Sequence, residues 1–253
     1  MGYDVTFHPV SQADLQHFVF DVVNTPPLAK KRAQEISRDK AKQRFLMEGI
    51  FGRLPQFMLE LTLGPPSEDD LPLSFGESIA FAAAAVAGHL HPYWYARGAA
   101  LSFLADKHPE VARLFTPLQK IAEGDVAKVK LKGQGLLGSN YSASGFIAPR
   151  NLPKLTRLLD ELATRKPRTK VAPLFKVFDE QGLDSLRRAI AYASANGLGL
   201  MEASDLVVPM GQASTDTDNL RAHFLDNVDH AAPGRMARRA KAKKAARKPA
   251  RKA

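Results

Sequence analysis

The residues of this chain with the most evident chemistry are ten cations crowded at one end. Arg235, Arg238, Arg239, Lys241, Lys243, Lys244, Arg247, Lys248, Arg251 and Lys252 fall within positions 231–253, and no acid accompanies them. Guanidinium and ammonium groups at that density attract polyanions, phosphate backbones above all. The stretch has no aromatic ring to stack on a base and no large apolar residue except Met236. Contacts from such a tail should therefore go to phosphates and carry little sequence information. The 253-residue chain holds 36 basic and 26 acidic side chains. Removing the tail leaves 26 of each, so the net charge of +10 lies wholly in 231–253.

Other groups offer weaker chemistry. Tyr93, Trp94 and Tyr95 beside Arg97 form the densest aromatic cluster and hold the only tryptophan. Rings next to an arginine are common binding anchors, so these four mark the first place to look for a pocket; rings of this kind also pack element junctions. Gly133, Gly135 and Gly138 match the spacing of a dinucleotide-binding turn. That chemistry needs a buried strand before the turn and a helix N-terminus after it. Here Val129 and Leu131 alternate with Lys130 and Lys132, and Ser139-Asn140-Tyr141 follows, which suits a glycine-rich hairpin instead.

Gly76-Glu77-Ser78-Ile79-Ala80 is similar to a relaxed nucleophile elbow, and a serine hydrolase built on Ser78 could recruit Asp205 and His223. An elbow requires parallel strands ahead of it, whereas residues 11–60 read as helix. Ser74 and Glu77 explain the same stretch as a capping box, with Ser78 inside the first turn. His89 and His91 could face one metal only from a strand, because residues two apart diverge by about 200° on a helix. Asp216 and Asp218 begin like a calcium loop, but Leu220 breaks the pattern, and capping of a last helix accounts for them. The reading is a chain with no catalytic set, no metal and no cofactor.

There is no cysteine, which excludes disulfides and thiolate chemistry and suits a reducing compartment. The N-terminus lacks a basic stretch followed by an apolar run, and the longest apolar run, 79–87, is about half a membrane span. A soluble, cytoplasmic protein without membrane contact is expected.

Elements able to position these groups follow from periodicity. Tyr3, Val5 and Phe7 alternate with polar neighbours as a half-buried strand ended by Pro9. Ser11 and Asp14 read as a capping box for a helix carrying Leu15, Phe18, Val19 and Val22. Residues 30–44 carry seven cations and two acids, an exposed helix until Phe45, Leu46, Ile50 and Phe51 bury its end. Lys30, Lys31, Arg32, Lys40, Lys42 and Arg44 lend it a basic face, which is the mark of a solvated helix or of an added phosphate contact. Residues 63–73 read as a loop, and the alanine-rich stretch to Asp106 as two packed helices broken at 88–92. Residues 124–149 read as strands and turns. Leu152, Leu155, Leu158, Leu159 and Leu162 share one helical face, Leu183, Leu186 and Ile190 another, and 198–208 suits a last strand before a helix at 220–228.

The expected fold class is α+β: a mostly helical globular body over 1–230, divisible near 124, with a small sheet and a disordered basic tail over 231–253. The body should fold without the tail. Residues 141–208, with Gly145-Phe146-Ile147-Ala148-Pro149 entering a leucine helix and Gly197-Leu198-Gly199-Leu200 leaving the next, resemble small bacterial domains found among toxin-immunity proteins. That resemblance implies a protein-binding module. The tail resembles linker-histone-like bacterial tails in composition, which implies nucleic-acid binding without sequence preference. The reading is a non-catalytic protein with nucleic acid at the tail and an unidentified protein partner at the body; the alternatives are a toxin-immunity-like protein-binding module and a small serine hydrolase using Ser78.

Overall fold

The computed structural model describes residues 4–53, 75–128, 135–137, 142–165 and 172–206. The tail, Ser139, Lys130, Leu131, Lys132, Gly133, Gly138, His223 and the expected helix at 220–228 lie outside them.

Among the described residues five strands form one antiparallel sheet: β1 (Asp4–Val10), β2 (Trp94–Arg97), β3 (Phe115–Thr116), β4 (Phe146–Ile147) and β5 (Gly199–Ser204). Their spatial order is β2-β1-β5-β4-β3, so the first and last strands of the described chain lie side by side. Val5 faces Ser204, and Val10 faces Gly199, across a six-residue register. This α+β arrangement is mainly helical with one small sheet, as the sequence indicates.

β1 departs from its expected half-burial. Thr6, His8 and Val10 are as buried as Val5 and Phe7, because helices cover both faces of the sheet. Nor does Pro9 end the strand. The Asp205 N–H donates to the Asp4 carbonyl at 2.7 Å, so even-numbered residues of β1 bond toward β5 and odd ones toward β2. The missing N–H of Pro9 faces the side where β2 has already stopped, at the Phe7–Trp94 pair.

One covering layer starts with α1, a continuous helical run of Gln12–Leu15, the π-helical turn Gln16–Phe20 and Asp21–Asn24. The expected capping box is present: Ser11 Oγ accepts from the Asp14 N–H at 2.9 Å, and Asp14 Oδ2 accepts from the Ser11 N–H at 3.3 Å. The expected single helix over 30–44 is two. α2 (Ala29–Ile36) and α3 (Lys40–Phe45, continued by the π-helical turn Leu46–Ile50) are separated by Ser37, Arg38 and Asp39. Asp39 caps α3 by accepting from the Lys42 N–H at 2.9 Å, so a side chain that competes with the backbone breaks the run. α4 (Phe75–Leu90) completes this layer, its buried alanines allowing close approach to β1.

The other layer holds α5 (Leu101–Ala105), α6 (Pro109–Ala112), α8 (Leu152–Thr164) and α9 (Glu180–Ala195). Leu152, Leu155, Leu159 and Leu162 of α8 are buried, and Leu158 packs at the margin. α9 lies across β1, β2 and β5, capped by Asp179, whose Oδ1 accepts from the Gly182 N–H at 2.7 Å. Two expectations are corrected here. Residues 94–97, taken as part of a helix pair, are edge strand β2. Asp125–Lys128, taken as the start of a strand, is a short helix, α7, with Val126 buried.

No helix among the described residues is long and apolar enough to cross a membrane.

Candidate functional site

The aromatic cluster is divided by the pleat of β2. Side chains alternate across a strand, so Tyr93 and Tyr95 enter the core under α4 while Trp94 turns toward α9. Tyr93 stacks on His8 with centroids 5.5 Å apart, and the Tyr95 hydroxyl donates to Asp4 Oδ1 at 2.5 Å. Burial, together with that bond to a carboxylate, pushes the Tyr95 phenol up. Arg97 is exposed at the strand end. Trp94, only half-buried, tilts against Tyr192 of α9 at 5.5 Å, and His91 lies 6.3 Å from Tyr192 and 3.5 Å from Asp14. The four expected residues thus do not line one cavity. A surface ledge of Trp94, Tyr192 and His91 takes their place, and Tyr192 was not legible as part of it because it belongs to a helix a hundred residues away.

One buried acid is a group that sequence reasoning missed. Glu202 sits mid-strand in β5, on the face otherwise filled by Leu200, Phe7 and Leu101. Its Oε2 accepts from the Leu101 N–H at 2.7 Å and its Oε1 from the Ser102 N–H at 2.8 Å and from the Ser102 hydroxyl. Two otherwise orphaned N–H groups at the start of α5 are satisfied from across the core. Burial pushes the Glu202 carboxyl up to about 7, against the pull of these donors. Ser102 Oγ in turn accepts from the Leu137 N–H at 2.8 Å, which ties 135–137 to the sheet. A carboxylate–hydroxyl pair is part of a nucleophile's equipment, but Ser102 is 2% exposed and Glu202 1%. No described histidine bonds to either. The pair can clamp; as placed it does not meet a substrate.

Across the sheet, His8 is fully buried. Thr6 Oγ1 donates toward the Ala203 carbonyl at 3.4 Å, so His8 Nε2–H donates to Thr6 Oγ1 at 2.7 Å and Nδ1 carries the lone pair. Burial lowers its pKa to about 3, keeping the ring neutral.

Ser78 is the fourth residue of α4, within its first turn. Asp205, at the end of β5, bonds the Asp4 N–H at 3.2 Å. Gly135, with φ +74°, would place a Cβ 3.3 Å from both Gly145 and Pro117, so this glycine serves close backbone packing. His89 Nδ1 meets the Ala85 carbonyl at 2.9 Å while His91 turns to Asp14, so the two imidazoles part company. The described residues contain no group of three metal-binding side chains.

The basic helix is the part of the expected nucleic-acid surface that the structure describes. Arg32 leaves it: this buried side chain bonds Glu35 at 2.9 Å and lies 3.6 Å from Asp21, joining α2 to α1. His17 adds a 2.7 Å contact to Glu35, and with Arg32 it holds that carboxyl below its ordinary range. Arg44 pairs with Glu48 at 2.9 Å. Lys30, Lys31, Arg38 and Lys40 are exposed and form no ion pair among the described residues.

No family model matches this chain, and no curated protein and no solved structure matches it.

Proposed function

We propose that this chain is a non-catalytic cytoplasmic protein that holds nucleic acid through its basic tail without sequence preference, while its body binds a protein partner. The carrying observation is the segregation of charge: ten cations and no acid in 231–253, against a formally neutral remainder. A charge block of this kind gives affinity for phosphates by releasing condensed counterions, with no need of a folded reading surface. The ledge of Trp94 and Tyr192 supports the partner half of the proposal, since half-buried aromatic side chains are frequent anchors at interfaces.

The test is fluorescence anisotropy with several labelled duplexes of unrelated sequence. The full chain should bind them all within about threefold of one another, because phosphate contacts position a protein without specifying bases. Replacing the ten tail cations by glutamine should remove most of that affinity. A strong preference for one duplex, or binding unaffected by the replacement, contradicts the proposal.

A further inference from the structure

We infer that α2 and α3 form a second, rigid contact for the phosphate backbone of a nucleic-acid duplex, which orients the body on a ligand that the tail alone would hold loosely. This rests on the proposed nucleic-acid binding and assigns it a place on the folded body. Three observations converge on it.

The first is architecture. α2 and α3 are two helices joined by the three-residue turn 37–39, and both are seated on the core by Ala29, Ala33, Phe45, Leu46 and Ile50. Arg32 fastens α2 to α1 through Asp21, and Glu35 of α2 meets His17 of α1. The outer face of the pair is therefore a fixed surface, and cations on it keep a fixed spacing, unlike cations on a chain that must be ordered at binding.

The second is the distribution of charge. Each acid near this face already has an intramolecular partner: Glu35 takes Arg32 and His17, Asp39 caps α3, and Glu48 takes Arg44. Lys30 and Lys31 on α2, Arg38 in the turn and Lys40 at the start of α3 are exposed and form no ion pair among the described residues. The face is cationic because its acids are engaged, although the body as a whole is neutral.

The third is shape. Between the two helices lies an open hollow of about 340 Å³, lined by the cations Lys30, Lys40 and Arg44, the amides Gln34 and Gln43, the apolar Ala33 and Met47, and Glu48. Cations and amides around a concave floor suit phosphate oxygens, which accept from both. A flat acidic protein surface would not fill it. Exposed cations on α2, in the turn and at the start of α3 suit a ligand that carries many phosphates, as a duplex does.

The experiment compares three full-length chains on one duplex across a salt series: the natural chain, the chain with its ten tail cations changed to glutamine, and a variant carrying Lys30→Ala, Lys31→Ala, Arg38→Ala and Lys40→Ala. All four replaced side chains are exposed, so this variant should keep the natural thermal midpoint. It should bind more weakly, with a log K against log salt slope shallower by about 2, as when two of the four cations engage phosphates. A companion variant, Lys30→Arg, Lys31→Arg and Lys40→Arg, keeps the charge and should bind like the natural chain.

An unchanged slope and affinity in the alanine variant, with binding lost in the tail variant, overturns this inference and leaves the tail reading standing. The reverse pattern supports it and removes the tail reading. Absence of duplex binding by the natural chain overturns both. An alanine variant that loses binding to phosphatidylserine vesicles but keeps duplex binding also overturns it, in favour of a membrane surface.

Discussion

Glu202 and His8 lie on opposite faces of one sheet, and their titrations act on stability in opposite directions. The Glu202 carboxyl is raised to about 7 in the folded protein, from 4.5 in the unfolded chain. Its favourable share is present below the unfolded value and is lost as pH rises through 7. The His8 imidazole is lowered to about 3, from 6.5, so its favourable share is present above 6.5 and is lost as pH falls toward 3. Between about pH 4.5 and 6.5 the two slopes oppose each other. Glu202→Gln should therefore gain stability relative to the natural chain as pH rises from 4.5 to 7, by on the order of 3 kcal/mol. His8→Phe should gain relative stability as pH falls below 6.5, since the ring can still stack on Tyr93 and no longer takes up a proton. Thermal midpoints across pH 3 to 9 check both, and parallel curves for natural chain and variant would contradict the assigned burial. Neither residue announced itself in sequence. A strand with water on one side has room for a glutamate or a histidine, and only the second helical layer makes these two buried.

At the scale of elements, amphipathic helices were the most legible features. The leucines of α8 and the 183–190 spacing of α9 each gave the buried face directly, because a period near 3.6 has one structural solution at that length. Leu155, fully buried in α8, should cost about 3 kcal/mol on change to alanine, measured by urea unfolding. Asp179→Ala should cost about 1 kcal/mol through loss of the α9 cap. β2 was misread for a physical reason: four residues hold two strand periods but little more than one helical turn, so Trp94 and Tyr95 fit either pattern. What fixes them as a strand is the long-range pairing with Asp4–Phe7, which no local pattern contains. Charge was equally silent on Arg32, which looks like its neighbours Lys30 and Lys31 until its partners on α1 are seen. Arg32→Ala should destabilise the body by about 2 kcal/mol or more, leaving Glu35 and Asp21 without their shared cation, while Lys31→Ala should stay within about half a kcal/mol. Equal effects of the two substitutions would contradict the division of the basic helix into a structural and an accessible part.

At the scale of the whole molecule, the chain combines a sheet covered on both faces, whose polar core groups are held in a clamp, with a cationic segment that its neutral body does not balance. The described polar clusters are built inward: Glu202 onto α5, His8 onto Thr6, Arg32 onto α1 and α2. Exposed cations without an ion pair among the described residues stand on the α2–α3 face, and the sequence places ten more in 231–253. The tail was legible because electrostatics needs only a count of residues, whereas the α2–α3 surface needed the partners of each acid. The most direct measurement of the central claim is the salt dependence of duplex binding by the full chain and by the chain with its ten tail cations changed to glutamine. If about five of the ten engage phosphates, the full chain should show a log K against log salt slope steeper by about 4 to 5 than the neutralised chain. Equal slopes and equal affinities for the two chains would contradict the account and leave the tail with no part in holding nucleic acid.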